Sequence, residues 1–434
     1  MGSLLIQKAL IIPLDHVQRE KNWFSGDIAV ENGVIKEIGT DLAVKYPNFE
    51  ILAGQDTLVL PGLVNCHTHA AMTLFRSYAD DLPLMEWLSK KIWPLEAHLK
   101  AEDVYWATML SILEMIKSGT TTFADMYFFM DQVAQAAADS GIRACLARGL
   151  AGSGNSAEVG LQESEELVKQ WQGGADGRIT CMLGPHAPYT CPPEYLKRVM
   201  QLADRLGVGL HIHLAETLTE VNDITKQYGL RPVELMESIG LFDNRHVLAA
   251  HCVHLSDVEM DILVKRRVGI AHNPESNMKL ASGIAPVPQL LKKGALVGLG
   301  TDGASSNNNL DMFEEMRSCA FLHKVSTLDP TNLPAQQALE MAADRGAKVL
   351  GLERLGSIQS GYKADLILLD LHQPHLIPLH DPVANVVYAA HSSDVKTVII
   401  DGKIVMKDRR MLTMDEERIL YEAAKHGQDL VKRI

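Results

Sequence analysis

The stretch LVLPGLVNCHTH, residues 58–69, passes from an apolar run through Pro61 and Gly62 into a His-x-His triplet, and the fold is decided by how it is read. A continuous Leu/Val run marks a strand covered on both faces, as in a parallel sheet wrapped by helices. In an extended strand, residues two apart face the same side, so His67 and His69 point together from the strand end and can share one cation at the ~2.0 Å of a Zn–N bond. Seven further runs of the same texture follow: TTTFAD, IRACLARG, ITCMLGPH, VGLHIHL, HVLAAHC, VGIAHN and LVGLGTD. Amphipathic stretches such as EDVYWATMLSILEMIKSG and PEYLKRVMQLADRLG separate them, each ending in the Gly that commonly closes a helix. The pattern predicts an α/β fold, a (β/α)8 TIM-type barrel over residues 61–360.

The two chain ends read differently. ALIIPL, DIAVENGVIKEIG and TLVLPG at one end, and ADLILLDL and VKTVIIDGKIVMKD at the other, are strand-like, with Asn32-Gly33 and Asp401-Gly402 as tight-turn signals. Residues 1–60 and 361–434 are therefore expected to build one small β-sandwich around the barrel's ends.

The chain has 434 residues, 47% hydrophobic and 22% charged, with a formal charge of −13. That acidity argues against a nucleic-acid surface, which clusters Lys and Arg on one face, and points to a small-molecule partner. No apolar run reaches the roughly 20 residues that cross a bilayer. The N-terminus lacks a basic region before its apolar stretch and reads as a strand, so a cytoplasmic location is expected. The six cysteines are scattered without a CxxC pair and read as reduced, buried side chains. A homo-oligomer is compatible with everything so far.

Almost every apolar run ends in a polar side chain: His67 and His69, Asp125, Arg148, His186, His213, His251, Asn273 and Asp302. Barrel enzymes carry their chemistry at that rim, and so many buried imidazoles and carboxylates without partners would each cost a few kcal/mol. On the fifth run, HIHLAE, His213 lies nearer the strand end and is the expected ligand, whereas His211 reads as a core histidine with a hydrogen-bond partner. Glu216 can reach the same mouth without ligating, the place for an acid/base carboxylate. Asp302, between Gly300 and Gly303, can complete the metal shell and take a proton from water. His251 is placed to hydrogen-bond that water, whose pKa an ion lowers toward about 7. The expected cofactor is one divalent ion per subunit on His67, His69, His213 and Asp302. Zinc is favoured, with ferrous iron or manganese as alternatives.

LPGLVNCHTH, GPHAPYTC, HIHLAET, AAHCVHL, AHNPESNMKLASG and GTDGASSNN resemble the signature segments of the amidohydrolase superfamily, and within it the 5-methylthioadenosine/S-adenosylhomocysteine deaminases. The likeness runs over nearly the whole chain. It implies the same four ligands, and the catalytic set Glu216, His251 and Asp302. Glu216 would protonate the ring nitrogen beside the reacting carbon, His251 would orient the attacking water, and ammonia would leave from C6 of an adenine nucleoside. It further implies substrate contacts from Trp87 as an aromatic lid, Glu96 on the ribose hydroxyls, and His186, Glu216 and Asp302 on the nucleoside. Arg148 would pair with the carboxylate of S-adenosylhomocysteine. Where relatives carry a second arginine after the third strand, this chain reads AGSGNSAEVGLQES, which tilts the expectation toward 5'-methylthioadenosine.

A binuclear amide hydrolase would need a bridging lysine on the fourth strand, and ITCMLGPH has none. A mononuclear aminohydrolase of another ring, guanine, 8-oxoguanine or a triazine, keeps the metal site, and the ribose-type Glu96 separates it from a nucleoside deaminase. A scaffold protein without catalysis would be expected to have lost ligands.

Overall fold

Gly62 divides the opening segment between two sheets. Thr57–Pro61 belongs to one and Leu63–Thr68 to the other, and a Cβ at Gly62 would lie 2.1 Å from Thr121 Oγ1, so only glycine lets the chain cross there. The computed structural model describes residues 2–18, 20–152 and 156–434. Residues 153–155, in the arginine-free loop after the third apolar run, lie outside the described residues.

Eight parallel strands follow in chain order: Leu63–Thr68, Thr120–Tyr127, Arg143–Leu150, Ile179–Pro185, Gly209–Leu214, Val247–His251, Gly269–His272 and Leu296–Leu299. Each pairs with its sequence neighbour. Across the seam between the eighth strand and the first, Asp302 N donates to the His67 carbonyl at 2.9 Å, and Asn65 joins Thr301 through both its amide nitrogen (2.7 Å) and its amide oxygen (3.0 Å). The expected (β/α)8 barrel is present. Its wrapping helices follow their apolar periodicity: Pro193–Leu206 buries Tyr195, Leu196, Val199, Met200, Leu202 and Ala203, starts on proline and stops at Gly207, which has a φ of 67°.

The strand-like segments at both ends of the chain form a second, nine-stranded sheet. Thr57–Pro61 is its hinge, parallel to Ser3–Ile11 and antiparallel to Leu366–Asp370, so the two ends of the chain meet on it. Leu4, Ile6, Leu366 and Leu368 share one buried cluster. Both tight turns take the left-handed backbone that their sequences call for, with φ of 53° and 79° at Asn32-Gly33 and 49° and 74° at Asp401-Gly402. A buried bidentate pair, Arg143 to Asp365 at 2.9 and 3.0 Å, ties the third barrel strand to this sheet. The final helix, Glu416–Val431, docks on the barrel helix Ala101–Lys117, where His426 Nδ1 meets the buried carboxylate of Asp103 at 2.6 Å. We propose 61–360 as the barrel unit and 1–60 with 361–434 as the composite unit that brackets it. No helix among the described residues is long and apolar enough to cross a membrane.

Candidate active site

At the C-terminal rim the strand ends deliver their side chains into one cavity of about 350 Å³. His69, from just past the first strand, donates Nδ1–H to the Met126 carbonyl at 2.6 Å, and His213, from the fifth, to the His186 carbonyl at 2.6 Å. With those protons fixed, both Nε2 atoms carry lone pairs, yet they stand 3.2 Å apart. Two acceptors cannot bond each other, and a cation between them removes the conflict.

His67 lies beneath, its Nδ1 2.8 Å from His211 Nε2. His211 is thus the core histidine expected, and its partner is His67. His67 Nε2 and Asp302 Oδ1 are both buried without a hydrogen-bond partner, 3.4 Å apart. Asp302 Oδ1 is also 3.3 Å from His69 Nε2. The other oxygen, Oδ2, accepts hydroxyl hydrogens from Ser276 and Ser306, each at 2.7 Å. Burial drives the His67 pKa down to about 3 and His213 well below its ordinary value, so both imidazoles stay neutral. Burial pushes the Asp302 carboxyl up, but the surrounding imidazoles prevail and hold it well below the carboxylate range, as an anion. Three imidazoles and one anion, with two orphaned atoms among them, form a metal-binding cluster of the kind zinc prefers.

Beside it stands Glu216, buried, with Oε2 3.8 Å from His251 Nε2 and Oε1 3.4 Å from the Ser282 hydroxyl. Burial raises its pKa, against the pull of His251. His251 Nδ1 lies 2.9 Å from Asn277 Oδ1, which fixes the ring. Burial disfavours its charge, but Glu216 and Asp302 outweigh that and leave its pKa raised.

Comparison with known proteins agrees with this geometry. Residues 58–405 match the model of the amidohydrolase family. Two bacterial proteins named 5-methylthioadenosine/S-adenosylhomocysteine deaminase are similar over the full length. The one from Syntrophomonas wolfei is 60% identical over 99% of both chains, and the one from Pelotomaculum thermopropionicum is 57% identical over all of both. The chain belongs to the amidohydrolase family. Among solved structures, an adenosine deaminase from Xanthomonas campestris with bound zinc superposes with a TM-score of 0.94 at 36% identity, covering 99% of each chain.

In this amidohydrolase the remaining residues singled out from sequence line the same cavity, except Asp125 and Asn273. Glu96 accepts the Tyr127 hydroxyl at 2.7 Å, and its burial raises it to about 7. His186 bonds Thr190 Oγ1 at 3.0 Å, and burial brings its pKa down to about 4. Trp87 is buried, with its indole N–H on the Ala79 carbonyl at 3.0 Å. Arg148 lines the cavity already engaged. Its Nε and Nη2 each reach Glu163 Oε2 at 2.7 Å, Nη1 donates to the Gly149 carbonyl, and the guanidinium lies 5.2 Å from the Phe128 ring centre. Asp125 takes bonds from Thr68 Oγ1 and Ala70 N and anchors the turn after His69, while Asn273 Nδ2 lies 3.2 Å from His251 Nδ1, below the mouth.

Sequence reading gave no role to Ser276, Asn277, Ser306, Tyr127 or Glu220. The first three lie inside the quoted segments AHNPESNMKLASG and GTDGASSNN; the partners of Ser276 and Asn277 are remote in sequence, whereas Ser306 stands four residues from its partner Asp302. Glu220 had a local signal, the Thr-x-x-Glu spacing after Glu216.

Proposed function

We propose that this chain removes the 6-amino group of an adenine nucleoside by hydrolysis, using one zinc ion held by His67, His69, His213 and Asp302. The observation that carries the reading is the pair of lone-pair nitrogens on His69 and His213, 3.2 Å apart, over the orphaned His67 Nε2 and Asp302 Oδ1. When bound, the ion supplies the Lewis acidity that makes water a nucleophile at neutral pH.

The side chains do the rest. Glu216, whose pKa is raised by its burial, gives its proton to the ring nitrogen beside C6, then takes the proton of the new C6 hydroxyl and passes it to the departing amino group. His251, fixed through Nδ1 by Asn277, directs Nε2 toward the attacking water, and Asp302 accepts that water's proton. A C–O bond forms at C6, the C–N bond breaks, and ammonia leaves with the inosine analogue behind. Glu96, held by Tyr127, suits the ribose hydroxyls, and His186 and Trp87 border the nucleoside. The wall formed by Leu84, Trp87, Leu88 and Phe128 suits a thiomethyl group, and Arg148, half-neutralised by Glu163, stands where a carboxylate tail would end. The preferred substrate is 5'-methylthioadenosine, with S-adenosylhomocysteine and adenosine also accepted.

Ultraviolet spectra of the zinc-loaded enzyme with each of the three nucleosides test this. An adenine-to-hypoxanthine change, fastest with 5'-methylthioadenosine, is expected. No change with any of them would overturn the reading.

A further inference from the structure

Four residues beyond Glu216, a second buried carboxylate makes an unusual pair of bonds. Glu220 Oε1 accepts from Ala215 N at 2.9 Å and Oε2 from Glu216 N at 2.8 Å. The spacing Thr217-x-x-Glu220 is that of a capping box, in which the glutamate returns to the backbone N–H of the cap residue. The box at Ser256 and Glu259 does this, with Ser256 N on Glu259 Oε2 at 2.9 Å. At Thr217 only the first half is made: its hydroxyl accepts Glu220 N at 3.1 Å, while the carboxylate passes the cap residue by and clamps the two residues before it.

Those two residues need holding. Ala215 has a φ of 51°, a left-handed backbone that an alanine adopts only under constraint. Its carbonyl is fixed by Val253 N at 3.0 Å and His254 N at 2.9 Å. Its amide and that of Glu216 are fixed by Glu220 alone among the described residues. This turn decides whether the Glu216 side chain points into the cavity or along the strand.

We infer that Glu220 is the positioning residue for Glu216: its carboxylate locks the Ala215–Glu216 turn and so aims the proton-carrying side chain at the reacting ring. Glu220 touches neither substrate nor metal ligand and acts through Glu216 alone. The inference rests on the proton-carrier role assigned to Glu216 above.

Glu220→Gln tests it. The amide keeps size and burial but offers one acceptor oxygen where two are used, and turns an N–H toward a backbone N–H. The variant is expected to bind one zinc per chain and keep KM for 5'-methylthioadenosine within about twofold, while kcat falls about tenfold or more, in the range of a displaced acid/base group. Glu220→Asp keeps the charge and cannot span both amides, so it carries the same expectation and stands in if the glutamine variant does not fold. A binding measurement separates aiming from plain stability. An adenine-site inhibitor bearing a tetrahedral hydroxyl carbon should lose affinity in these variants in proportion to kcat, while the inosine product should not. Folded, zinc-loaded variants with wild-type kcat, or with both ligands weakened equally, would overturn the inference. A wild-type enzyme inactive on every adenine nucleoside would instead sink the proposed function.

Discussion

Replacing Ser276 and Ser306 by alanine removes both donors to Asp302 Oδ2 without touching any atom proposed to contact the metal. Asp302 sits at φ 60°, so its backbone is itself strained and does not fix the carboxylate alone. A hydroxyl donating to a buried carboxylate is worth about 1.5–3 kcal/mol, and outer partners of this kind change metal affinity by about 10–100-fold. Both bonds end on one oxygen, so their losses should combine less than additively, because losing either donor already frees the carboxylate to turn and most of the orientation goes with the first. Each single variant should weaken zinc about tenfold and the double variant about 50-fold. The assay is competition for zinc against a chromophoric chelator at fixed pH, on protein whose folding is checked by circular dichroism. Ser305→Ala is the control: the residue is equally buried and adjacent, but its hydroxyl faces Met72 Sδ at 3.7 Å. The reasoning fails if the double variant holds zinc as tightly as wild type, or if Ser305→Ala weakens it as much.

Glu216→Gln should keep one zinc per chain and lose about 10²–10⁴ in kcat, and metal analysis beside steady-state rates checks this. Glu96→Gln should raise KM for ribosides and flatten a stability slope. Burial lifts the Glu96 carboxyl from its ordinary 4.5 to about 7, so the folded state keeps a proton that the unfolded chain has lost, and stability falls as pH rises between those values. Above pH 7 the variant should gain on the order of 3 kcal/mol at most, read as Tm against pH, and parallel curves for variant and wild type would refute it. Arg148→Met should cut kcat/KM for S-adenosylhomocysteine about tenfold and leave 5'-methylthioadenosine within about twofold, because only the former ends in a carboxylate. Equal losses on both substrates would remove Arg148 from the tail site.

What could be read in the sequence was whatever depends on local spacing. His67-x-His69 and the eight apolar runs needed only the period of a strand. The turns at Asn32-Gly33 and Asp401-Gly402 needed only the left-handed preference of their residues. What depends on contacts remote in sequence could not be read. Nothing near Ser276 announces a carboxylate 26 residues on, beyond a different strand, and nothing near His211 names His67, 2.8 Å from it, as the partner of that core histidine. The final helix, Glu416–Val431, was missed because strand-like and turn signals dominate the chain just before it. Arg148 shows the limit of residue type alone: the guanidinium is where the reading put it, but Glu163, fifteen residues on, already occupies one of its edges.

The strain at the mouth is itself patterned. Ala215, His251, Cys252 and Asp302 all lie at positive φ, between 49° and 70°, and none is glycine. All four stand where a barrel strand ends and the chain must swing a side chain inward rather than continue along the sheet. Each such residue costs of order 1–3 kcal/mol unless its surroundings hold it. The holding backbone bonds are visible for three of them, Asp302 N on the His67 carbonyl, Cys252 N on the Leu214 carbonyl, and the Ala215 carbonyl on Val253 N and His254 N, while His251 is held through its ring by Asn277. These bonds run from strand to strand across the rim, so the groups that converge on the metal cluster also brace one another. Loosening one strand end should therefore disturb the neighbouring functional side chain before it unfolds the barrel. A glycine at any of the four would relax the backbone locally and give up the side chain or the rigidity that the chemistry uses, which accounts for strained non-glycine residues at this rim.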